Sequence, residues 1–340
     1  MRKIAQILFV AIVLLSFFSC ENKNSLKDVK TDDINYKLEI IRFDKDVFAS
    51  QKMDAKSQVR FLKKKYGGFF DIYAGSVMKL GDNKDSNFYL SFQKFRENAD
   101  LQDIYTRTLK IFENVDDIEK DLNEGLKHYK YYFPNKLIPR IATCISGFNY
   151  PIIATDSTLA ISLDMYLGKK FEYYPMLGIP TYKVCRMDKQ YISSDCMLGW
   201  AMSEFTDSTL NQDLISKMVY YGKMYYFVDA MFPDKEDSLK IGFNESEINW
   251  CEKNEANVWA FFIEKKLLYS SNIDDIQKYT SDGPFTSSIS KESPSRIGIW
   301  VGWQIVRSYM KQNPNVKLAQ LLMDKDAHKI FLQSKYKPKK

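Results

Sequence analysis

No stretch of residues 36–340 offers a place to divide the chain. Gly and Pro number only 14 and 10 in 340 residues, and no Ser-rich or like-charged linker interrupts the pattern. No segment repeats. A chain of this kind has to gather its apolar residues into one core. It has the material: 45% of the residues are hydrophobic and 15% aromatic, with 27% charged. Those proportions exclude wholesale disorder and collagen-like or mucin-like designs.

The patterning within 36–340 is mainly helical. Residues 36–43 (YKLEIIRF) alternate and are rich in β formers, which predicts a strand. Asp44 is placed to cap a helix carrying Val47 and Phe48. Val59, Phe61 and Leu62 continue a helical pattern up to Gly67 and Gly68, and Ile104, Leu109 and Ile111 mark another helix. Asp116 is a candidate cap for a helix with Ile118, Leu122, Leu126 and Tyr129 on one face, ended by Pro134. Residues 141–148 and 152–163 are Ile-rich and punctuated by Gly147, Pro151 and an Asp156-Ser157 turn, which predicts two or three antiparallel strands. Helices resume over 191–205 and over 214–232, where Leu214, Met218, Tyr221, Tyr225, Val228 and Phe232 form a long apolar face. Asn244 and Glu247 have the spacing of a capping box. Further amphipathic helices are expected over 255–268, 296–310 and, beyond Pro314, 316–331. The expected fold class is α+β: a mainly helical single domain with a small antiparallel sheet.

Residues 1–20 read MRKIAQILFVAIVLLSFFSC. Arg2 and Lys3 precede an apolar run, 7–18, broken only by Ser16. The run is shorter than the ~20 residues of a membrane span and fits a secretory signal. Ser19 followed directly by Cys20 is similar to a bacterial lipoprotein signal. That likeness implies a signal peptide over 1–19, a diacylglyceryl group on Cys20, cleavage between Ser19 and Cys20, acylation of the new amine, and a tether over 20–35 that joins the lipid to the domain 36–340. One acyl chain binds a membrane reversibly, whereas two or more anchor stably. A plain secretory signal with an incidental Cys20 is the alternative. The tether lacks a dense acidic run, which favours a periplasm-facing position in the cell envelope.

The formal net charge is +6, and without Arg2 and Lys3 it becomes +4, from 47 basic against 43 acidic residues. That is too mild and too dispersed for a nucleic-acid partner. The one basic cluster, Lys335, Lys337, Lys339 and Lys340, reads as a solvated terminus, with anionic lipid as the lesser option. Beyond Cys20 there are four cysteines: Cys144, Cys185, Cys196 and Cys251. Their irregular spacing makes buried free thiols the expectation, although an exported chain permits a disulfide. No Cys-x-x-Cys spacing suggests zinc.

Motifs for catalysis are missing from the sequence. Its two histidines, His128 and His328, lie in segments without a nucleophile motif, and both read as exposed helix positions. There is no Gly-x-Ser-x-Gly, P-loop, dinucleotide fingerprint or EF-hand loop, so no cofactor or metal ligand is assigned. Asp195 with Glu204, or Asp156 with Asp164, are carboxylate pairs whose meaning depends on spatial separation alone. Glu252, Glu255 and Glu264 read as a solvated helix face. The aromatic groups at 220–221, 225–227 and 259–262 read as core, with a partner groove as the alternative. The segment RIGIWVGWQ, 296–304, is unusual because Gly298 and Gly302 fall on one helical face. Each Gly costs up to ~1 kcal/mol in a helix, so close approach of another backbone should offset it. Arg296, Gly298, Trp300, Gly302 and Trp303 are therefore the candidate surface, for internal packing first and for a partner second.

Several blocks together carry a family resemblance: IRFDKDVF (41–48), FPNKLIPRIATCISGFNYPIIATDSTLAISLDMYLG (133–168), YYGKMYYFVDAMFPD (220–234), NEANVWAFFIEKKLLYS (254–270) and SPSRIGIWVGWQIVRSYMKQNP (293–314). With the lipoprotein start, they resemble the GldB gliding-motility lipoproteins of Bacteroidota. The resemblance implies an envelope lipoprotein required for gliding, a motility linked to type IX secretion. The family is also distantly similar to zincin-type peptidases, which hold zinc with His-Glu-x-x-His on one helix and a Glu on the next. Tyr221 stands where that Glu is expected, and the preceding helix, 191–205, contains no His. Zinc of that type needs two imidazoles one turn apart, so no catalytic residue carries over. The expected function is that of a lipid-anchored, non-catalytic component or assembly factor of the gliding machinery, on a degenerate zincin-like fold. Its expected partners are a membrane, through the N-terminal lipid, and other gliding-machinery proteins. Two further classes stand beside it: an envelope lipoprotein that binds glycan or peptide ligands, and a hydrolase with a non-standard site.

Overall fold

The periodicity of 214–232 predicts one buried face. In the computed structural model, which describes residues 26–48, 53–82, 85 and 87–338, every residue of the helix Leu214–Met231 except Lys217 and Tyr221 is buried. A helix that is buried on nearly every side belongs at the centre of a core, and the other elements are arranged around it.

In chain order the helices before the sheet are α1 Phe43–Phe48, α2 Ala55–Tyr66, α3 Gly68–Ile72 (continued by a π turn, Tyr73–Val77), α4 Phe88–Glu97, α5 Ala99–Ile111 and α6 Asp116–Tyr132. The strands are β1 Arg140–Cys144, β2 Ile152–Ala154 and β3 Thr158–Ser162. Then follow α7 Tyr173–Met176, α8 Thr181–Val184, α9 Ile192–Glu204, α10 Leu214–Met231, α11 Asp237–Ile241 and α12 Glu245–Glu264. The last helices are α13 Ile273–Thr280, α14 Ile297–Gln312, α15 Leu318–Met323 and α16 Ala327–Ser334. The fold is therefore α+β and helix-dominated. These elements belong to one unit, Thr31–Lys340; in the other, Met1–Lys30, the described residues include one 3-10 turn, Leu26–Asp28. The signal segment 1–19, Cys20, Lys339 and Lys340 lie outside the described residues.

The sheet is mixed rather than antiparallel. Its order is β1-β3-β2, with β1 parallel and β2 antiparallel to β3. Only β2 and β3 form a hairpin, around Asp156 and Ser157. The chain leaving β1 instead crosses to the far side of β3, through left-handed Gly147 and Phe148 (φ +65° and +61°). Asp164, buried just beyond β3, holds this crossing by accepting the N–H groups of Ser146 (3.0 Å) and Phe148 (2.7 Å). Burial still pushes its carboxyl up to about 6, against the downward pull of those two N–H groups.

Residues 36–43 do not form the expected strand. The Leu38 N–H donates to Asn123 Oδ1 (2.8 Å) and the Ile40 N–H to Glu119 Oε2 (2.9 Å), so side chains of α6 take the place of a strand partner. Only Ile41 bridges to β1. The following α1 begins at Phe43, and Asp44 serves tertiary structure rather than capping: Arg42 grips both its oxygens (3.0 and 2.8 Å) and the Thr143 hydroxyl donates to it. Phe43 is packed edge-on by Tyr66, Phe69 and Tyr73 at 4.8–5.1 Å. The Tyr73 hydroxyl reaches the Ile145 carbonyl (2.7 Å), tying the N-terminal helices to the sheet.

At the other end, 316–331 splits into α15 and α16 instead of one helix. Asp326 caps α16 through the Lys329 N–H (2.8 Å). Buried Lys223 of α10 donates to the carbonyls of Asp324 (2.9 Å) and Leu322 (3.5 Å), satisfying acceptors that the end of α15 leaves open. The Asn244–Glu247 capping box is present and starts α12 ten residues before 255.

Candidate functional site

The most extensive helix contact is between α10 and α14, and two polar nodes are built on it. The first lies where α14 starts. Arg296, the residue before the helix, is left-handed (φ +59°), a conformation that costs an L side chain of this type about 1 kcal/mol. Its guanidinium holds it there. Nη2 donates to the Ile241 carbonyl (2.8 Å), Nη1 to the Tyr225 hydroxyl (3.2 Å), and Nε lies 3.0 Å from Asp282 Oδ1. Arg186 converges on the same carboxylate (2.7 Å), and both guanidiniums sit over the Phe243 ring at 5.3–5.9 Å. Burial would raise the Asp282 carboxyl, but the two arginines outweigh it and hold it below the usual carboxylate range.

Asp195 of α9 faces this node. It accepts the Tyr166 hydroxyl (2.8 Å) and keeps partial solvent access. Burial pushes its carboxyl up to about 6; Tyr166, Arg296 and Arg186 pull down, and Asp282 pushes further up. Two carboxylates and two guanidiniums thus sit in near charge balance, with one acid able to exchange a proton near neutral pH. Seven segments meet here, from 166 to 296 in sequence.

The raised Asp195 has a measurable consequence. In the folded chain its carboxyl is raised to about 6, above the ordinary aspartate value of 3.8. The folded chain then binds the proton more tightly, and stability falls as pH rises through that window. Asp195→Asn removes this contribution while its amide oxygen can still accept from Tyr166. The variant is expected to be about 1–2 kcal/mol more stable than wild type at pH 8, allowing for the partial solvent access, and equal to it near pH 4. Urea unfolding at the two pH values checks this, and a pH-independent difference would rule it out.

The second node is deeper. Asp229 of α10 accepts from Trp303 Nε1 (2.8 Å), from Lys240 Nζ (2.8 Å) and from Arg307 Nε and Nη2 (both 2.7 Å). Asp237 takes the rest of the Arg307 guanidinium (2.5 and 2.8 Å), which lies 3.8 Å from the centre of the Trp303 ring. This node locks α10, α11 and α14 together.

Next to the nodes the two helices touch backbone to backbone. A Cβ on Gly302 would stand 1.9 Å from the Met218 carbonyl oxygen, and one on Gly222 would stand 2.2 Å from that of Gly302. Gly298 meets a different element, the Tyr279 carbonyl of α13, at 2.8 Å from its own would-be Cβ. Trp300 and Trp303 are 3% and 0% exposed. Of the five residues singled out in 296–303, four are thus enclosed by the fold, and Arg296 belongs to the first node.

The other candidates scatter. His128 is buried in α6, not exposed, because α6 packs so closely that a Cβ on Gly125 would stand 2.7 Å from the Phe232 ring; burial lowers the His128 pKa. His328 pairs with Asp213 (2.7 Å) at the start of α10. Glu255 is buried rather than solvated and accepts the Tyr336 hydroxyl (2.7 Å). Asp156 sits in the hairpin turn, away from the buried role of Asp164, and Glu204 pairs with Lys136. The cysteines at 144, 185, 196 and 251 are free; burial raises the thiols of Cys144, Cys196 and Cys251, while Cys185 is exposed. The sequence reading missed Ser193, whose oxygen accepts from Lys235 (2.5 Å) and lies 3.3 Å from Asp121; a hydroxyl held on both sides in this way ties α6 to α9. It also missed Asp229, Lys240 and Arg307. Their one signal was a carboxylate inside an otherwise apolar helix, which in a core demands a charged partner. Among the described residues no group of three or more His, Cys, Asp or Glu is placed to hold a metal ion.

The family described as gliding motility protein GldB matches residues 22–338. The chain belongs to the GldB family. Its members are gliding-motility lipoproteins, which associates this GldB chain with the cell envelope. Comparison with curated proteins and with solved structures finds no match. The match spans both polar nodes and the α10–α14 contact. Among the described residues no helix is long and apolar enough to cross a membrane.

Proposed function

We propose that this chain is a lipid-anchored, non-catalytic envelope protein that serves as a component or assembly factor of the gliding machinery. The observation that carries the reading is the family match over 22–338. The lipid anchor is supported by the sequence: an apolar run closed by Ser19 and Cys20. A non-catalytic role is supported by where the imidazoles lie. The helix α9 has none, His128 is enclosed in α6, and His328 is paired with Asp213 far along the chain. The two polar nodes have their charges directed at one another, which suits a rigid scaffold.

The test is a gene deletion followed by complementation, with metal analysis of the purified protein. Deletion is expected to give non-spreading colonies. Wild type restores spreading, whereas Cys20→Ala accumulates but does not. Zinc is expected in substoichiometric amounts. Spreading by the deletion strain would overturn the gliding role, rescue by Cys20→Ala the anchor, and stoichiometric zinc with peptide hydrolysis the non-catalytic reading.

A further inference from the structure

Residues 173–182 read YYPMLGIPTY, ten positions without a charge. In a core-forming chain such a stretch belongs inside. Here it stands in solvent. Met176 is 76% exposed and Leu177 55%, and Pro175, Gly178 and Pro180 are exposed beside them.

The stretch is a built tip. The N–H groups of Leu177, Gly178 and Ile179 bond to the carbonyls of Tyr173, Pro175 and Tyr174, at 2.9–3.0 Å. Gly178 takes the left-handed turn (φ +70°). Tyr174 roots the tip in the core. It is fully buried, its hydroxyl accepts the Leu167 N–H and donates to the Asp164 carbonyl, both at 2.9 Å, and its ring packs on Phe171 and Phe148. The apolar residues therefore project from a stable base, with their ordering entropy already spent in folding.

The charges around the tip select its partner. Exposed Lys169 and Lys170 stand on one side and exposed Lys183 on the other. The two acids beside the base of the tip, Glu172 and Asp103, are both engaged by Arg107 (2.7 Å each), and Asp103 also accepts the Tyr173 hydroxyl. Exposed Met176 and Leu177 at the point, with exposed lysines on both sides in sequence, match an anionic bilayer surface, which offers an acyl boundary beneath a layer of phosphates.

We propose that the 173–182 tip inserts into the headgroup region of a membrane containing anionic phospholipid, with Lys169, Lys170 and Lys183 on the phosphates. The tip gives the domain a second membrane contact that does not depend on a lipid at Cys20. A contact of this kind would orient the domain on the membrane surface.

The experiment uses the unacylated chain from Glu21 onward, which keeps the whole unit Thr31–Lys340 and its core. It is floated with vesicles of phosphatidylcholine, alone or with added phosphatidylglycerol. The chain is expected to float with the anionic vesicles, less so in high salt, and scarcely with phosphatidylcholine alone. Met176→Asp with Leu177→Asp lowers binding at least about tenfold, and Lys169→Glu with Lys170→Glu weakens it on anionic vesicles only. Both variants should melt with wild type, since these side chains face solvent. No flotation of wild type, or equal flotation of the double-Asp variant, overturns the proposal. Loss of a co-purifying envelope protein in that variant, without vesicle binding by wild type, would assign the tip to a protein and equally overturn it. None of these outcomes bears on acylation at Cys20, which the complementation experiment tests separately.

Discussion

Gly302→Ala is expected to destabilise the chain by about 3–5 kcal/mol, enough to remove most folded protein. The added methyl would stand 1.9 Å from the Met218 carbonyl oxygen, and that neighbour is backbone, not a side chain that can rotate away. Relief requires α10 and α14 to separate, and α10 is packed on nearly every side. Gly→Ala inside a helix ordinarily gains about 1 kcal/mol, so the sign itself is diagnostic. Gly222→Ala, with its contact at 2.2 Å, should behave similarly. Gly68→Ala is the control: nothing lies within 4 Å of its Cβ position, and its stability should stay within about 0.5 kcal/mol of wild type or rise. Urea unfolding followed by circular dichroism reads all three. If Gly302→Ala lost less than about 1 kcal/mol, the two helices would not be in backbone contact.

Asp229→Ala is expected to cost a comparable amount, about 3–5 kcal/mol, for a different reason. Removing the carboxylate leaves Lys240, whose side chain is only 4% exposed, with Asp237 at 3.8 Å as its remaining counter-charge, and leaves Trp303 Nε1 without its acceptor. Arg307 keeps Asp237 but loses half of its partners. Breaking one member of a buried charge network costs more than the network contributes, because the remaining charges stay desolvated. Lys240→Met should cost much less, since Asp229 retains Arg307 and Trp303. The loss in Asp229→Ala should persist in high salt, because a buried pair is weakly screened. The surface pair Lys189–Asp117, 60% exposed on both sides, offers the contrast: Asp117→Ala is expected to change stability by less than about 0.5 kcal/mol. Equal losses at the two sites would contradict the buried network.

These two sites mark the limit of what the chain's order of residues conveys. The helix at 116–132 was legible because its information is local, an apolar face at helical spacing, and so was the reciprocal cap of Asn244 and Glu247, although the helix it starts was expected only from 255. Strand character at 140–162 was legible for the same reason. Strand direction was not, because it depends on how the chain crosses from β1 to the far side of β3, and that crossing is secured by Asp164 from beyond the sheet. The failure at 36–43 has a related cause. Its backbone found acceptors on α6, some 80 residues away, instead of on a neighbouring strand.

The candidate site divides in the same way. The spacing of Gly298 and Gly302 pointed to close packing, and the long blocks that match the GldB family pointed to gliding motility. Neither said which backbones would meet, because Gly302 meets Met218 whereas Gly298 meets Tyr279. The Asp195–Arg296–Asp282–Arg186 node and the Asp229 node join residues up to about a hundred positions apart, and no local pattern relates them. The uncharged run 173–182 is the clearest case, since its composition is that of a core segment and only its exposure makes it a surface.

By itself, then, the sequence determined what is written locally: helix and strand character, the scarcity of imidazole, and family membership. Tertiary structure alone decided which charges are buried together, which glycines bear backbone, and which apolar residues are left in water. The physical reason is that periodicity and capping act over a few residues, whereas desolvation and close packing act between any surfaces the fold brings within a few ångströms.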